Sequence, residues 1–213
     1  NQQTADSGAT MTAMMTGVKT NGGLISTAQT IQRKEADTQK VFTARLTTLL
    51  ELTEHNGLST GVVSTARLTH ATPAVTYAHT SNRDWETNTQ LPADTEIKDI
   101  AAQLVDNFGE NGIGDGLEVA LGGGRTKFLP DTMMDPEYPD KKGERTDGRN
   151  LIHEYQQKFG ASYVWNKTQF DALNAKEAKR LLGLFEPSHM KYEHDRVRDQ
   201  DEPSLSEMTS KAI

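Results

Sequence analysis

Short apolar runs that end in glycine alternate with amphipathic stretches along residues 8–130, and this alternation limits the fold more than any other feature. Two runs read as buried strands: 58–65, with Gly61-Val62-Val63 at its centre, and Leu117-Glu118-Val119-Ala120-Leu121, which ends in three glycines. Helical spacing places Val41, Phe42, Leu46, Leu49 and Leu50 on one side of a helix over 38–54, stopped by Asn56-Gly57. Another helix is expected from Pro73 to about Thr80, with proline in the first turn that suits it. A third spans about 96–108, with Ile97, Ile100, Ala101, Leu104 and Phe108 sharing a side. Strands separated by helices of this length pair in parallel and are covered on both faces. The expected fold is α/β, a three-layer αβα sandwich around a mostly parallel sheet.

The character of the chain changes near Pro130. Residues 133–149 are rich in Pro, Asp, Lys and Gly without periodicity and read as loop. A helix over 150–159 ends at Gly160, strands are expected at 162–166 and 180–186 with a helix between them, and 191–203 is charged and irregular. We therefore expect residues 1–130 to belong to the α/β core, 131–203 to form a peripheral subdomain inserted into it, and 204–213 to begin a core helix.

Composition excludes several classes of function. The 213 residues suffice for one sizeable core, yet only 34% are apolar and 25% are charged, so much of the chain is solvated. Asp and Glu outnumber Lys and Arg by 30 to 23, a net charge of −7, which argues against a nucleic-acid backbone as partner. Cysteine is absent, which rules out disulfides and thiolate metal sites within these residues. No run of 18 apolar residues offers a membrane span. The chain opens on Asn1-Gln2-Gln3 and its last helix reads as cut mid-turn, so it is expected to be an internal piece of a longer protein.

Near the start, Asp6-Ser7-Gly8-Ala9-Thr10 places a hydroxyl at the cap or first turn of a helix over 8–16, with Met11, Met14 and Met15 on its apolar side. Backbone N–H groups and the positive end of the helix dipole suit phosphate there. Taken alone, such a serine is an ordinary helix cap. Its company is more informative. His70-Ala71-Thr72-Pro73-Ala74 and Tyr77-Ala78-His79-Thr80-Ser81-Asn82-Arg83-Asp84-Trp85 resemble the alkaline phosphatase family, as does the Ser7 segment with its Thr16-Gly17-Val18-Lys19-Thr20 tail. Further strings match in the same order: Leu121-Gly122-Gly123-Gly124-Arg125, Asp135-Pro136-Glu137-Tyr138-Pro139-Asp140, Tyr163-Val164-Trp165-Asn166, Gly183-Leu184-Phe185-Glu186-Pro187, Met190-Lys191-Tyr192-Glu193 and Pro203-Ser204-Leu205. The resemblance covers nearly the whole chain. It leans towards the animal enzymes and their marine bacterial relatives, because His rather than Asp precedes Ala71-Thr72-Pro73.

The resemblance implies metal-dependent hydrolysis of phosphate monoesters through a phosphoserine. Ser7 would be the nucleophile and a zinc ligand, Arg83 the guanidinium that grips phosphate, and Asp6 the carboxylate that holds Arg83. Two zinc ions would activate the serine and the leaving oxygen. A magnesium site would use the Thr72 hydroxyl and His70, although an imidazole suits zinc better than magnesium. A calcium-type site would use Glu137, Glu186, Glu202 and the Phe185 carbonyl. Glu202 departs from the usual Asp, with Asp201 beside it, and Gly8-Ala9 departs from the usual Ala-Gly or Ala-Ala. The family's remaining zinc ligands, and its metal-binding Asp near the N-terminus, are expected outside these residues. A homodimer and a periplasmic or secreted location are likewise implied. Two rivals remain: a sulfatase or phosphodiesterase relative on the same fold, and a non-catalytic, calcium-stabilised interaction module. Spacing alone would make His70 and His79 structural, and Leu121–Arg125 a strand-ending turn rather than a nucleotide loop, since it lacks the P-loop spacing and lysine.

Overall fold

A computed structural model describes residues 5–109, 112–199 and 201–213. The chain divides into two compact units, one made of residues up to 58 together with 69–115, the other of 59–68 together with 116–213. A border between the units falls at 115/116, and strands from beyond residue 131 hydrogen-bond into the same sheet as β-strand residues before it.

The first unit is helical. It contains α1 (Ser7–Thr16), α2 (Thr38–Thr43), α3 (Leu49–His55), α4 (Ala71–Ala74) and α5 (Ile100–Asp106). Four of them start where a side chain can accept a first-turn N–H: Asp6 for α1, Asp37 for α2, Asp99 for α5, and a reciprocal Thr48–Glu51 capping box for α3. That box explains why the single helix expected over 38–54 is two. The chain leaves α2 at Ala44 and restarts at Thr48, burying Val41 and Leu50 while Phe42 and Leu49 stay exposed. The apolar side expected for α1 also differs. Met14 is exposed, and the buried positions are Gly8 and Thr12, because this helix packs through its small residues. Regular helix over the 73–80 stretch is confined to α4, and the chain then proceeds by turns to Thr80.

The second unit is built on a fully parallel four-stranded sheet of order β1-β2-β4-β3, formed by β1 (Gly61–Arg67), β2 (Val119–Gly123), β3 (Ser162–Val164) and β4 (Leu181–Leu184). Helices α6 (Leu151–Phe159), α7 (Lys167–Ala172), α8 (Glu193–Asp199) and α9 (Leu205–Ala212) accompany it. Leu121, Leu181, Phe170 of α7, Phe185 and Met208 of α9 share one apolar cluster, which fixes α7 and α9 to the sheet. The α8 helix lies in a stretch whose charge suggested irregular chain; an Arg196–Glu193 pair supports its first turns.

Gly122 and Gly123 close β2, and Gly124 turns the chain out of it, as the turn reading anticipated. Gly124 has φ +95°, and its N–H donates to the carbonyls of Glu186 and Ser188. A Cβ on Gly123 would stand 2.1 Å from the Ser188 carbonyl oxygen. Glycine is therefore required by the close approach of the 186–188 backbone.

Candidate functional site

In the first unit four polar side chains converge. Ser7 is the first residue of α1, and Asp6 caps the helix. The two carboxylate oxygens of Asp6 divide the work. Oδ1 accepts the N–H groups of Ala9 at 2.9 Å and Gly23 at 3.0 Å, whereas Oδ2 pairs with Arg83 Nη1 at 2.7 Å. Burial pushes the Asp6 carboxyl up, but the two backbone N–H groups and the guanidinium outweigh it and hold the group below its ordinary value. Arg83 Nη1 also donates to Ser7 Oγ at 2.8 Å, and Nη2 donates to His70 Nε2 at 3.2 Å. A guanidinium has no acceptor, so His70 Nε2 here is the unprotonated ring nitrogen.

Backbone pairing sets this geometry. Ile25 and Thr80 exchange two hydrogen bonds of 3.0 Å, and the Arg83 N–H donates to the Gly23 carbonyl at 2.8 Å. Gly23 thus touches Asp6 through its N–H and Arg83 through its carbonyl, tying the two ends of the pair together. Thr72 lies in α4, two residues after His70, with an exposed side chain.

In the second unit the Glu186 carboxylate interacts electrostatically with Glu137 and with Glu202. Glu137 pairs with the fully buried Arg125, which also forms two hydrogen bonds to Asp135. Glu186 accepts from the Tyr138 hydroxyl at 3.0 Å, and Lys191 Nζ stands 3.7 Å away. Glu202 is 1% exposed; Oε1 accepts the Lys191 N–H, while Oε2 is buried without a hydrogen-bond partner. Burial and the neighbouring Glu186 and Asp201 push the Glu202 carboxyl up to about 7. Burial likewise raises Glu186, and Glu137 adds to the effect. Among the described residues, no group of three or more His, Cys, Asp or Glu side chains is arranged to hold a metal ion as it stands.

Comparison with known proteins decides the family. The alkaline phosphatase family model matches residues 1–213.

The chain belongs to the alkaline phosphatase family.

Among curated alkaline phosphatases, the chicken tissue-nonspecific isozyme is 40% identical over 223 residues, covering 100% of this chain and 41% of the chicken protein. The Atlantic cod (Gadus morhua) enzyme is also 40% identical, with 45% of its length covered. The chain therefore spans about two fifths of the length of these curated relatives. The crystal structure of the Thermus thermophilus alkaline phosphatase superposes with a TM-score of 0.71 at 29% identity, covering 98% of this chain and 34% of that one. No helix among the described residues is long and apolar enough to cross a membrane.

Several residues around the alkaline phosphatase strings went unnoticed in sequence. Gly23 carries no local signal, because its role depends on two partners distant in the chain. Tyr138 and Lys191, which occupy Glu186, lie inside matched strings but announce no chemistry. Glu51 was visible only as the fourth residue of Thr48-x-x-Glu51, a capping-box pattern.

Proposed function

We propose that the chain supplies the nucleophile and phosphate clamp of an alkaline phosphatase that hydrolyses phosphate monoesters through a phosphoserine. The observation that carries this reading is the Arg83 guanidinium, bonded at once to Ser7 Oγ and Asp6 Oδ2. Asp6 holds one edge of the guanidinium. Its other partners, a hydroxyl and a neutral imidazole nitrogen, are weaker acceptors than a phosphate oxygen. A bound phosphate monoester displaces them and takes the Nη groups, while Asp6 keeps Arg83 in place. Ser7 Oγ then faces phosphorus, and the positive guanidinium beside it favours loss of the hydroxyl proton to solvent water. Attack forms the Oγ–P bond and breaks the bond to the alcohol oxygen, which leaves as the alcohol after taking a proton from water. Water then attacks phosphorus, breaks the Oγ–P bond and releases inorganic phosphate. Arg83 stabilises the equatorial oxygens in both halves.

Metal ions belong to this reading by family resemblance. Two zinc ions, with Ser7 as one ligand, would supply Lewis acidity at the attacking and leaving oxygens. A magnesium site would draw on Thr72 and His70. The chemistry of that pair fits a hard cation only in part, because His70 Nε2 is engaged by Arg83. The calcium-type site fits better: Glu202 Oε2 is orphaned and buried, and Glu186 repels both Glu137 and Glu202 where a cation would relieve them. Glu137, Glu186, Glu202 and the Phe185 carbonyl would hold that ion, and its role would be to bind the 137, 186 and 202 segments together. A homodimer in the periplasm or outside the cell completes the proposal.

The test uses the full-length, metal-loaded protein. Incubation with inorganic phosphate in mild acid, followed by peptide mass spectrometry, should find phosphate on Ser7, and Ser7→Ala should lose nearly all turnover of p-nitrophenyl phosphate. Phosphate on a different residue, or preferential cleavage of a sulfate ester or a diester, would defeat the reading.

A further inference from the structure

His79 is buried in the first unit, 2% exposed, and all four of its polar groups are engaged. Its N–H donates to Gln103 Oε1 at 2.8 Å, and its carbonyl accepts from Gln103 Nε2 at 3.1 Å. Nδ1 stands 2.9 Å from the Ser26 carbonyl oxygen, and Nε2 stands 2.9 Å from Glu51 Oε1. A carbonyl oxygen cannot donate, so Nδ1 carries a hydrogen. Glu51 Oε2 already accepts the Thr48 N–H at 2.6 Å, and Arg45 lies within electrostatic reach. The Nε2–Glu51 contact is thus a hydrogen bond between two buried side chains, and it fixes the ring's second edge.

The same ring grips the framework of the proposed phosphate site. Ser26, with φ +44°, is a non-glycine residue in the left-handed region, and its neighbours must hold it there. Its N–H donates to Thr12 Oγ1 on α1, the helix that begins with Ser7. Its Oγ donates to the Val75 carbonyl at 2.7 Å, and its carbonyl accepts both the Leu46 N–H and His79 Nδ1–H. From His79 onward the chain pairs back along 23–25 through Thr80 and Arg83. The helix of Ser7 and the segment of Arg83 are thus both referenced to one residue, and His79 closes the link.

We propose that His79, held between the Ser26 carbonyl and the Glu51 carboxyl group, is a positioning residue that sets the Arg83 guanidinium against Ser7. The proposal rests on the reading of Arg83 as the phosphate clamp. Measurements on the full-length, metal-loaded protein test it. In a double-mutant cycle, Glu51→Gln should raise the inhibition constant of inorganic phosphate about tenfold. It should have almost no further effect when Arg83 is already Ala, because the two changes act on one contact. Equal effects of Glu51→Gln in both backgrounds would remove the positioning role while leaving the clamp intact. Unchanged phosphate inhibition in Arg83→Ala alone would instead remove the clamp reading, and this proposal with it. His79→Gln, which keeps an amide donor but loses the second ring contact, provides a second variant for the same cycle should Glu51→Gln not fold.

Discussion

The division of labour between the two oxygens of Asp6 separates helix capping from guanidinium positioning. Asp6→Asn keeps an oxygen at the Oδ1 position, where two backbone N–H groups arrive, and places an amide NH2 opposite Arg83 Nη1. The flipped amide would face two donors rather than one, so the orientation is set. The Asp6 and Arg83 side chains are only 22% and 20% exposed, so solvent screens the pair weakly. Losing a hydrogen bond between charged groups at such a site costs about 1.5–3 kcal/mol. Expressed in the transition state, this is a loss of about 10- to 150-fold in kcat/KM for p-nitrophenyl phosphate. Asp6→Ala loses the cap as well, about 1 kcal/mol, and strands the buried Gly23 N–H for about 1 kcal/mol more. Urea unfolding of the full-length protein should therefore rank wild type above Asn and Asn above Ala, the last gap being about 2 kcal/mol. The native carboxyl titrates below its ordinary 3.8, so the unfolded chain binds more protons only in that acidic window. The stability difference between wild type and Asp6→Asn should stay constant from about pH 5 to 8 and close as pH falls through the lower native pKa. If Asn and Ala prove equally stable, Oδ1 does not cap α1. If Asp6→Asn keeps kcat/KM within about twofold, the pair does not position Arg83.

Other expectations concern the second unit. Arg125→Met should destabilise by about 3–5 kcal/mol, because Asp135 beneath it has a side chain with 0% exposure and would be left as an unpaired buried charge. Adding Asp135→Leu should recover much of that loss in chemical denaturation; failure to recover any would mean that the pair is not the cause. Gly123→Ala forces a Cβ against a backbone carbonyl and should cost about 3 kcal/mol, whereas Gly148→Ala, which has open space around it, should cost only the strain of its φ of +76°. Calcium added to chelator-treated full-length protein should raise Tm, and Glu202→Gln should remove most of that gain. An equal gain in the variant would place the ion elsewhere.

Helix starts and stops were open to reading from sequence because capping is a local contest for a few backbone N–H groups. Asn150 and Gly160 bracket α6 as expected, and the parallel sheet followed from strands spaced by helices. The errors came where tertiary packing outweighed pattern. The apolar residues of 38–54 repeat at helical spacing, yet the buried Thr48–Glu51 cap breaks the segment, and α1 packs on Gly8 and Thr12 rather than on its methionines. The family strings supplied Ser7, Asp6, Arg83 and His70 as candidates, but no spacing could state that they meet. That meeting depends on Gly23 holding Asp6 through its N–H and Arg83 through its carbonyl, links that form only on folding.

Sequence alone determined the residue chemistry, the strand–helix alternation and the family, since these depend on composition and on neighbours along the chain. Only the folded structure decided which oxygen of Asp6 caps and which pairs, which nitrogen of His70 meets Arg83, and that Glu202 buries an unpartnered oxygen. Hydrogen bonds and desolvation act over about 3 Å, and segments tens of residues apart in sequence come within that range only after folding.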